Sequence, residues 1–221
     1  MTTFPTPAPI SAVLTVPAGR IRFVAADRAD TTVEIRPADA AKSRDAKAAE
    51  QTTVDYGDGV LRIAAPAKNQ YFGPSGAIDV TVGLPAGSRV ELTAAGTEFL
   101  AVGRLGDVVV KTEQGSIDLD EATTAHLTTR DGDISLGRLT GDARLRTSKG
   151  DIRVIEATSG TVVLRTEAGD VEIGAAAGVP AVLDAGTSQG RIHNSLKNGD
   201  GAPRLTIHAT TAVGDITARG L

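Results

Sequence analysis

The sequence predicts an all-β protein, a single-stranded β-solenoid (β-helix-like) of about six or seven short coils with an N-terminal β cap. The first observation is a T-x-x-G step that recurs six times, with successive glycines 17, 18, 19, 21 and 24 residues apart. The second is a period-two alternation of aliphatic and polar residues on both sides of each step. The third is composition: no aromatic residue follows Phe99, so the later core must use aliphatic residues, many of them β-branched and suited to strands.

The chain before the repeats predicts a tail and a cap. Residues 1–9 are expected to be a disordered tail, and residues 10–87 to be lead-in strands that cover the open edge of the stack. Alternation predicts strands in 11–26, in 31–39, in 59–66 and from residue 76 onward. The Ala-rich and charged segment 38–53 between them predicts either a short helix or a mobile insertion.

The solenoid itself is expected to occupy residues 88–221. Thr93–Gly96 repeats the T-x-x-G spacing, but Val90, Leu92 and Phe99 lie one residue out of register with the other copies. We therefore interpret this copy as a degenerate first coil that contains a bulge. At the other end, the insertion 194–203 and the irregular last unit are expected to form a closing cap.

Each repeat predicts two half-buried strands that meet at the T-x-x-G step. The expected inward residues before the step are Val108, Ala125, Ala143, Val162, Leu183 and Ile207, then Val110, Leu127, Leu145, Leu164, Ala185 and Ala209. Those after it are Ile117, Ile134, Ile152, Val171, Ile192 and Ile216, then Leu119, Leu136, Val154, Ile173, Asn194 and Ala218. Stacking successive units in register would close a continuous core. The alternative is a meandering antiparallel sheet, which would show more Asn-Gly turns.

The glycine of each step is predicted to supply a positive φ at a corner, because glycine adopts that conformation without steric cost. These glycines are Gly115, Gly132, Gly150, Gly169, Gly190 and Gly214. The alternative is a phosphate cradle, which requires a helix directly after the glycine-rich loop. No helix is predicted after any of these positions, so the corner interpretation is favoured.

Polar residues beside the glycines form two predicted columns. Asp133, Asp151 and Asp170 would stack, and each is expected to accept a local backbone N–H as in an Asx-turn. A column that binds a cation is the alternative, although the calcium-binding nonapeptide is absent. The threonine column is expected to point inward and to satisfy its hydroxyl groups within the column. Its members are Thr112, Thr129, Thr147, Thr166, Thr187 and Thr211.

The candidate interaction residues point outward. Arg144, Arg146, Arg153 and Arg165 lie on neighbouring coils and predict a mixed-charge face for a protein partner. The alternative is a set of weak cross-strand ion pairs with Glu167, Glu172 and Asp151. The three histidines, His126, His193 and His208, fall at outward positions of different units, so they do not predict a zinc site.

Composition narrows the function classes. A net charge of −4 does not indicate the basic surface that binding to nucleic acid or an anionic membrane requires. The absence of cysteine excludes disulfides and thiolate metal sites. No cofactor, metal site or catalytic residue is predicted. The start of the chain shows no signal peptide, and no apolar stretch could span a membrane, so a cytoplasmic protein is expected.

The segments "GAIDVTVGLPAGSRVELTAAGTEFL", "GDVVVKTEQGSIDL" and "TTRDGDISLGRLTGDARLRTSKGDIRV" carry a resemblance to a known family. With the opening "VPAGRIRFVAAD", they make the chain similar to bacterial β-strand-repeat proteins of domain of unknown function 4097, often labelled adhesin-like. The resemblance covers most of the chain. It implies a β-solenoid-like fold without established catalytic residues, and the adhesin label implies a surface location.

These observations together predict a non-catalytic scaffold or protein-interaction module of a bacterium, with an unidentified protein partner and a possible homo-oligomeric state. A self-assembling rod or a surface adhesin is the alternative function. A polysaccharide-acting β-helix enzyme is the less favoured alternative, because such enzymes use clustered carboxylates and aromatic platforms that the repeats lack.

Overall fold

Strands make up nearly all of the regular structure in the computed structural model, which describes residues 1–66, 76–196 and 202–221. The chain divides into two units, Met1–Gly115 and Ser116–Leu221. Residues 67–75 of the predicted cap and residues 197–201 of the predicted closing insertion lie outside the described residues. No helix in the described ranges is long and apolar enough to cross a membrane.

The first unit contains mostly strands in its described residues. Its elements are β1 (Thr2–Pro5), β2 (Ser11–Ala26), β3 (Asp30–Pro37), α1 (Ser43–Gln51), β4 (Thr53–Gly57), β5 (Val60–Ala64), β6 (Ile78–Pro85) and β7 (Arg89–Lys111).

Strand β2 is the centre of the first unit because three other strands pair with it. Strand β7 runs parallel to β2 in a constant register, from Ser11 opposite Arg89 to Val24 opposite Val102. On the other edge, β5 and β6 pair in parallel with successive parts of β2. Strands β3 and β1 extend the sheet from β6, and β4 extends it from β5, all antiparallel. The predicted cap thus includes a strand, β2, that stacks as part of the solenoid.

The predicted disordered tail is instead ordered over part of its length. Residues 2–5 form β1, which pairs antiparallel with β3, and the Thr6 hydroxyl lies 2.8 Å from the hydroxyl of Thr31. Both threonines are buried. A four-residue segment is too short to show alternation, so its pairing with the edge of β3 could not be seen in the sequence.

Of the two alternatives for segment 38–53, the structure shows the helix. Ala48 is buried on one side of α1, and the Asp45 carboxylate accepts a hydrogen bond from the Ala77 N–H at 3.0 Å. The alanines of α1 favour a helix because they lose little side-chain entropy. The helix is thereby tied to the start of β6.

The second unit consists of strands that repeat at the T-x-x-G steps. They are β8 (Ile117–Thr128), β9 (Ile134–Leu139), β10 (Ala143–Arg146), β11 (Ile152–Ala157), β12 (Gly160–Arg165), β13 (Val171–Ala175), β14 (Ala181–Gln189), β15 (Ile192–Ser195), β16 (Leu205–Val213) and β17 (Ile216–Gly220).

Two parallel stacks form the second unit, and we call them sheet A and sheet B. A coil contributes one strand to sheet A, turns at its T-x-x-G step and contributes the next strand to sheet B. Sheet A contains, in spatial order, residues 125–128, β10, β12, β16 and β14. Sheet B contains, in spatial order, residues 117–122, β9, β11, β13, β17 and β15. This parallel pairing is that of a β-solenoid and excludes the antiparallel meander.

The predicted inward columns form the core of the second unit. Sheet A buries Ala125, Ala143, Val162, Ile207, Leu127, Leu145, Leu164 and Ala209. Sheet B buries Ile117, Ile134, Ile152, Val171, Ile216, Leu119, Leu136, Val154, Ile173 and Ala218. The exceptions all lie in β14 and β15: Leu183 and Ala185 are half-buried, whereas Ile192 and Asn194 are exposed.

The last two coils do not stack in sequence order. Ile207 of β16 is opposite Val162 on one side and Leu183 on the other, so β16 lies between β12 and β14. Strand β17 likewise lies between β13 and β15. The prediction that the last unit is a closing cap is therefore wrong, and the coil of β14 and β15 is outermost. This reversed stacking order of the last two coils has a physical reason, since it keeps the amide of Asn194 out of the closed core.

The first unit also contains a coil corner in β7, at Thr97 rather than at Gly96. Thr97 lies opposite Gly19 of β2, and its N–H donates to the Gln114 carbonyl at 2.8 Å. Counted from Thr97, the buried residues Leu92 and Phe99 occupy the standard inward positions. The predicted bulge is therefore wrong. The apparent shift of one residue in the sequence arose because Thr97 occupies the position at which other coils have the corner glycine.

Candidate interaction faces

The structure places all six predicted glycines at corners with positive φ, from 114° at Gly115 to 158° at Gly190. Stacking adds a second requirement that the sequence did not reveal. A Cβ on Gly150 would lie 2.2 Å from the Gly132 carbonyl oxygen, and a Cβ on Gly169 would lie 2.1 Å from that of Gly150. The corner glycines thus permit both the turn and the close approach of successive coils.

Four of the corner threonines bind a corner-glycine carbonyl rather than another threonine. The hydroxyl of Thr147 donates to the Gly132 oxygen, and that of Thr166 to the Gly150 oxygen, both at 3.0 Å. Thr211 and Thr187 make the same bond to the glycine of the adjacent coil, also at 3.0 Å. These four T-x-x-G steps therefore each lock their coil to a neighbouring coil.

The aspartate column accepts backbone N–H groups of adjacent coils. Asp133 Oδ1 accepts the N–H of Asp151 at 2.8 Å, and Asp151 Oδ1 accepts the N–H of Asp170 at 2.7 Å. The prediction of a local turn cap is wrong, because the acceptor and donor are 18 or 19 residues apart. The residues that the structure describes contain no group of three His, Cys, Asp or Glu arranged to hold a metal ion.

The column continues past the residues predicted for it because the last coil is inserted into the stack. Asp170 Oδ1 accepts the N–H of Asp215 at 2.7 Å, and Asp215 Oδ1 accepts the N–H of Arg191 at 2.8 Å. The Arg191 guanidinium also lies 2.9 Å from Asp215 Oδ2. The backbone N–H of Arg191 and then its guanidinium lower the pKa of Asp215.

Three of the four predicted arginines share the outward side of sheet A. Arg146 of β10 lies directly opposite Arg165 of β12, and Arg144 lies between His126 and Val163. The side chain of Arg146 approaches Glu167 at 4.0 Å, and both side chains are more than half exposed. Among the described residues, Arg144 and Arg165 have no ion-pair partner. We call Arg144, Arg146 and Arg165 the arginine face.

Arg153 does not belong to the arginine face, because it lies on sheet B. Its Nε is 3.2 Å from Glu172 Oε2, and the other oxygen of Glu172 lies 2.6 Å from Arg219 Nη1. Glu172 thus bridges arginines on β11 and β17, one on each side of its own strand β13. The prediction of one face with four arginines is wrong, since strands on either side of a corner belong to different sheets.

The histidines lie at outward positions, as predicted. His126 and His193 are exposed, and His208 Nδ1 lies 3.2 Å from Asp184 Oδ2 of the neighbouring strand. His126 and His208 share a column of sheet A in which Arg144 and Val163 stand between them.

The sequence pattern did not predict a cleft of about 630 Å³ in the first unit, which lies beside the corner at Thr97. Arg20 of β2, which lines it, stands opposite Asp79 on one side and Glu98 on the other. Arg20 Nε donates to Asp79 Oδ1 at 3.1 Å, and this bond raises the pKa of Arg20. Alternation predicts that these residues point outward. It does not predict the pairing of Arg20 with Asp79, because the two lie 59 residues apart and no local pattern connects them.

The family model of the Toastrack DUF4097 proteins matches residues 14–219. No curated protein matches the chain. Among solved structures, a "putative cell adhesion protein" from Clostridium sporogenes ATCC 15579 is 9% identical, covering 100% of this chain and 98% of its own, with a TM-score of 0.44. A "putative adhesin" from Bacteroides fragilis NCTC 9343 is 15% identical, covering 98% and 95%, with a TM-score of 0.42. Since the family model spans nearly its whole length, this chain belongs to the Toastrack DUF4097 family.

Proposed function

We propose that this chain is a non-catalytic scaffold that binds an acidic segment of a protein partner on the arginine face. The observation that carries the proposal is the direct opposition of Arg146 and Arg165 on neighbouring strands of sheet A. Like charges directly opposite each other destabilise a sheet. Glu167 approaches Arg146 at 4.0 Å, but Arg165 has no ion-pair partner among the described residues, so a carboxylate supplied from outside would reduce the remaining repulsion.

The chemistry of arginine supports a carboxylate ligand. A guanidinium presents a planar fork of N–H donors that matches a carboxylate with two parallel hydrogen bonds. Arg144 and Arg165 are exposed and have these donors available for ion pairing, and the strands that carry them are held in a parallel stack. Repeat proteins use such rigid and regular surfaces for extended contacts.

A non-catalytic role is supported by four acidic side chains of the second unit that are already engaged. Asp133, Asp151 and Asp170 are engaged with backbone N–H groups, and Glu172 is shared by two arginines. A general acid or base must instead be free to exchange a proton with a substrate.

The proposal can be tested with a fluorescent peptide of alternating glutamate and serine. We expect the whole chain to bind it, and Arg144→Gln/Arg165→Gln to weaken binding about tenfold, which corresponds to about 1.4 kcal/mol. The matched control is Arg138→Gln/Arg153→Gln, which removes the same charge from sheet B and should change binding less than twofold. Equal losses in the two variants, or equal binding of a glutamine–serine peptide, would contradict the proposal.

A further inference from the structure

In the part of the chain that the structure describes, the coil of β14 and β15 has an open edge at one side of the second unit. Strand β14 pairs with β16 and β15 with β17, and within the described residues no strand pairs with their other side. Strand β14 is nine residues long and contains one charged residue, Asp184. A long and nearly uncharged edge presents free N–H and C=O groups that favour the addition of further strands.

Apolar side chains of the core columns are also exposed at this edge. Ile192 is 46% exposed although it occupies the column in which Ile216 of the adjacent coil is 0% exposed. Leu183 and Ala185 are only half-buried in the equivalent column of sheet A. Both the backbone and the apolar side chains of the outermost coil therefore have contacts left to make.

The geometry restricts what can cover this edge. A single added strand would pair with β14 or with β15, but it would leave the other sheet open. Full coverage requires a partner that presents two strand edges about 10 Å apart, which is the separation of packed sheets. A second copy of this chain presents two such edges in the same arrangement.

We propose that two copies of this chain join through β14 and β15, with each edge pairing antiparallel with its equivalent around a two-fold axis. One register of β14 fits this arrangement. With Ala185 of each copy at the two-fold axis, Leu183 of one copy lies opposite Thr187 of the other. This pair continues the inward column across the dimer. In the same register Val182 lies opposite Ser188, and Asp184 lies opposite Gly186. No like charges face each other across β14.

The edges of the first unit are less suited to this pairing. Strand β1 has four residues and ends at Pro5, and β4 has five residues that include Asp55. Short strands, proline and charge are common features that prevent edge pairing. The structure therefore favours a closed pair through β14 and β15 over an open chain of copies.

The test is sedimentation equilibrium of the whole chain over a range of concentrations. We expect a monomer–dimer equilibrium without larger species.

Val182→Lys/Ser188→Lys would place like charges opposite each other twice in the dimer, and should raise its dissociation constant at least about tenfold. Val182→Glu/Ser188→Lys carries equally large changes but places opposite charges together, and should dimerise at least as well as the wild type. Ile155→Lys, at a 48% exposed position of β11, is the control for added surface charge and should leave dimerisation unchanged.

Each outcome decides the proposal. A wild-type monomer at all concentrations, a polymer that grows with concentration, or equal behaviour of the two double variants would overturn it. Circular dichroism melts show whether each variant is folded before it is compared. The peptide-binding assay separates this proposal from the proposed function, because dimerisation uses β14 and β15 and peptide binding uses the arginine face. A dimer without peptide binding contradicts only the function, and a peptide-binding monomer contradicts only the dimer.

Discussion

The last two coils of the second unit have closely similar local sequences but different environments. The step T-A-V-G-D-I begins at Thr211 in the inner coil, and T-S-Q-G-R-I begins at Thr187 in the outer coil. Both make the corner, and both threonines bind the glycine of an adjacent coil. Yet Ile216 is fully buried and Ile192 is 46% exposed. The local pattern thus specifies a coil, whereas its place in the stack decides how much stability its apolar residues contribute.

Two isoleucine-to-alanine variants test that difference directly. Ile216→Ala should lower the free energy of unfolding by about 4 kcal/mol, because it opens a cavity in a closed core. Ile192→Ala should lower it by less than about 1 kcal/mol in dilute solution, because its side chain is already partly hydrated. Urea unfolding followed by circular dichroism measures both values.

Two outcomes would alter the comparison. Equal losses for the two variants in dilute solution would mean that the outer coil is covered within one copy of the chain. A loss for Ile192→Ala that increases with protein concentration would agree with the dimer proposed above, since dimerisation would bury that side chain.

The next effect concerns glycines of the same two coils. Gly214→Ala should destabilise the protein by about 3 kcal/mol, because φ is +142° there and a Cβ would lie 2.0 Å from the Gly169 oxygen. Gly186→Ala should change stability by no more than about 0.5 kcal/mol, since no atom lies within 4 Å of its Cβ position. Thermal unfolding of the two variants provides the comparison. Comparable losses would show that glycine is needed along β14 for a reason other than the corner.

The smallest effect is a pH dependence at the junction of the two coils. Since Arg191 lowers the pKa of Asp215, this carboxylate stabilises the fold above its unfolded pKa of about 3.9, and the contribution is lost as pH falls through the lower folded value. Asp215→Asn keeps an acceptor for the Arg191 N–H but removes the charge. The variant should therefore be less stable at pH 7, and its stability should fall less between about pH 5 and pH 2.

Urea unfolding at a series of pH values measures that slope. Some acid sensitivity should remain in Asp215→Asn, because the pKa values of Asp30 and Asp39 are also lowered, by the Arg28 side chain and by the Ala41 N–H respectively. An unchanged slope would show that the junction contributes nothing to acid sensitivity.

The repeat pattern was sufficient to predict the coils, because the information is local. A threonine, a glycine three residues later and an aliphatic residue two after that define a corner flanked by two inward positions. The same pattern misplaced the corner of β7, where Thr97 occupies the glycine position and Gly96 precedes it. A search for the inward pairs alone would have found that corner. It would also have found an equivalent corner in β2 at Gly19, which lies opposite Thr97 and has a φ of 136°.

The sites depended on pairings that the local pattern does not contain. The outward direction of Arg146 and Arg153 follows from alternation, but the sheet to which each belongs follows from the corner between them. The aspartate column was predicted as a column, but its hydrogen bonds join coils rather than residues of one turn. Its extension to Asp215 and Arg191 required the true order of the coils.

The β-solenoid class, the corner glycines and nearly all of the aliphatic core could be predicted from the residues alone, because period-two alternation and positive φ are properties of short segments. The strand pairing in three dimensions was needed to show that β16 and β17 lie inside the stack and that β14 and β15 lie at its edge. Any coil with this pattern can pair with any other, so their order depends on which arrangement buries the most apolar surface and leaves Asn194 outside the core.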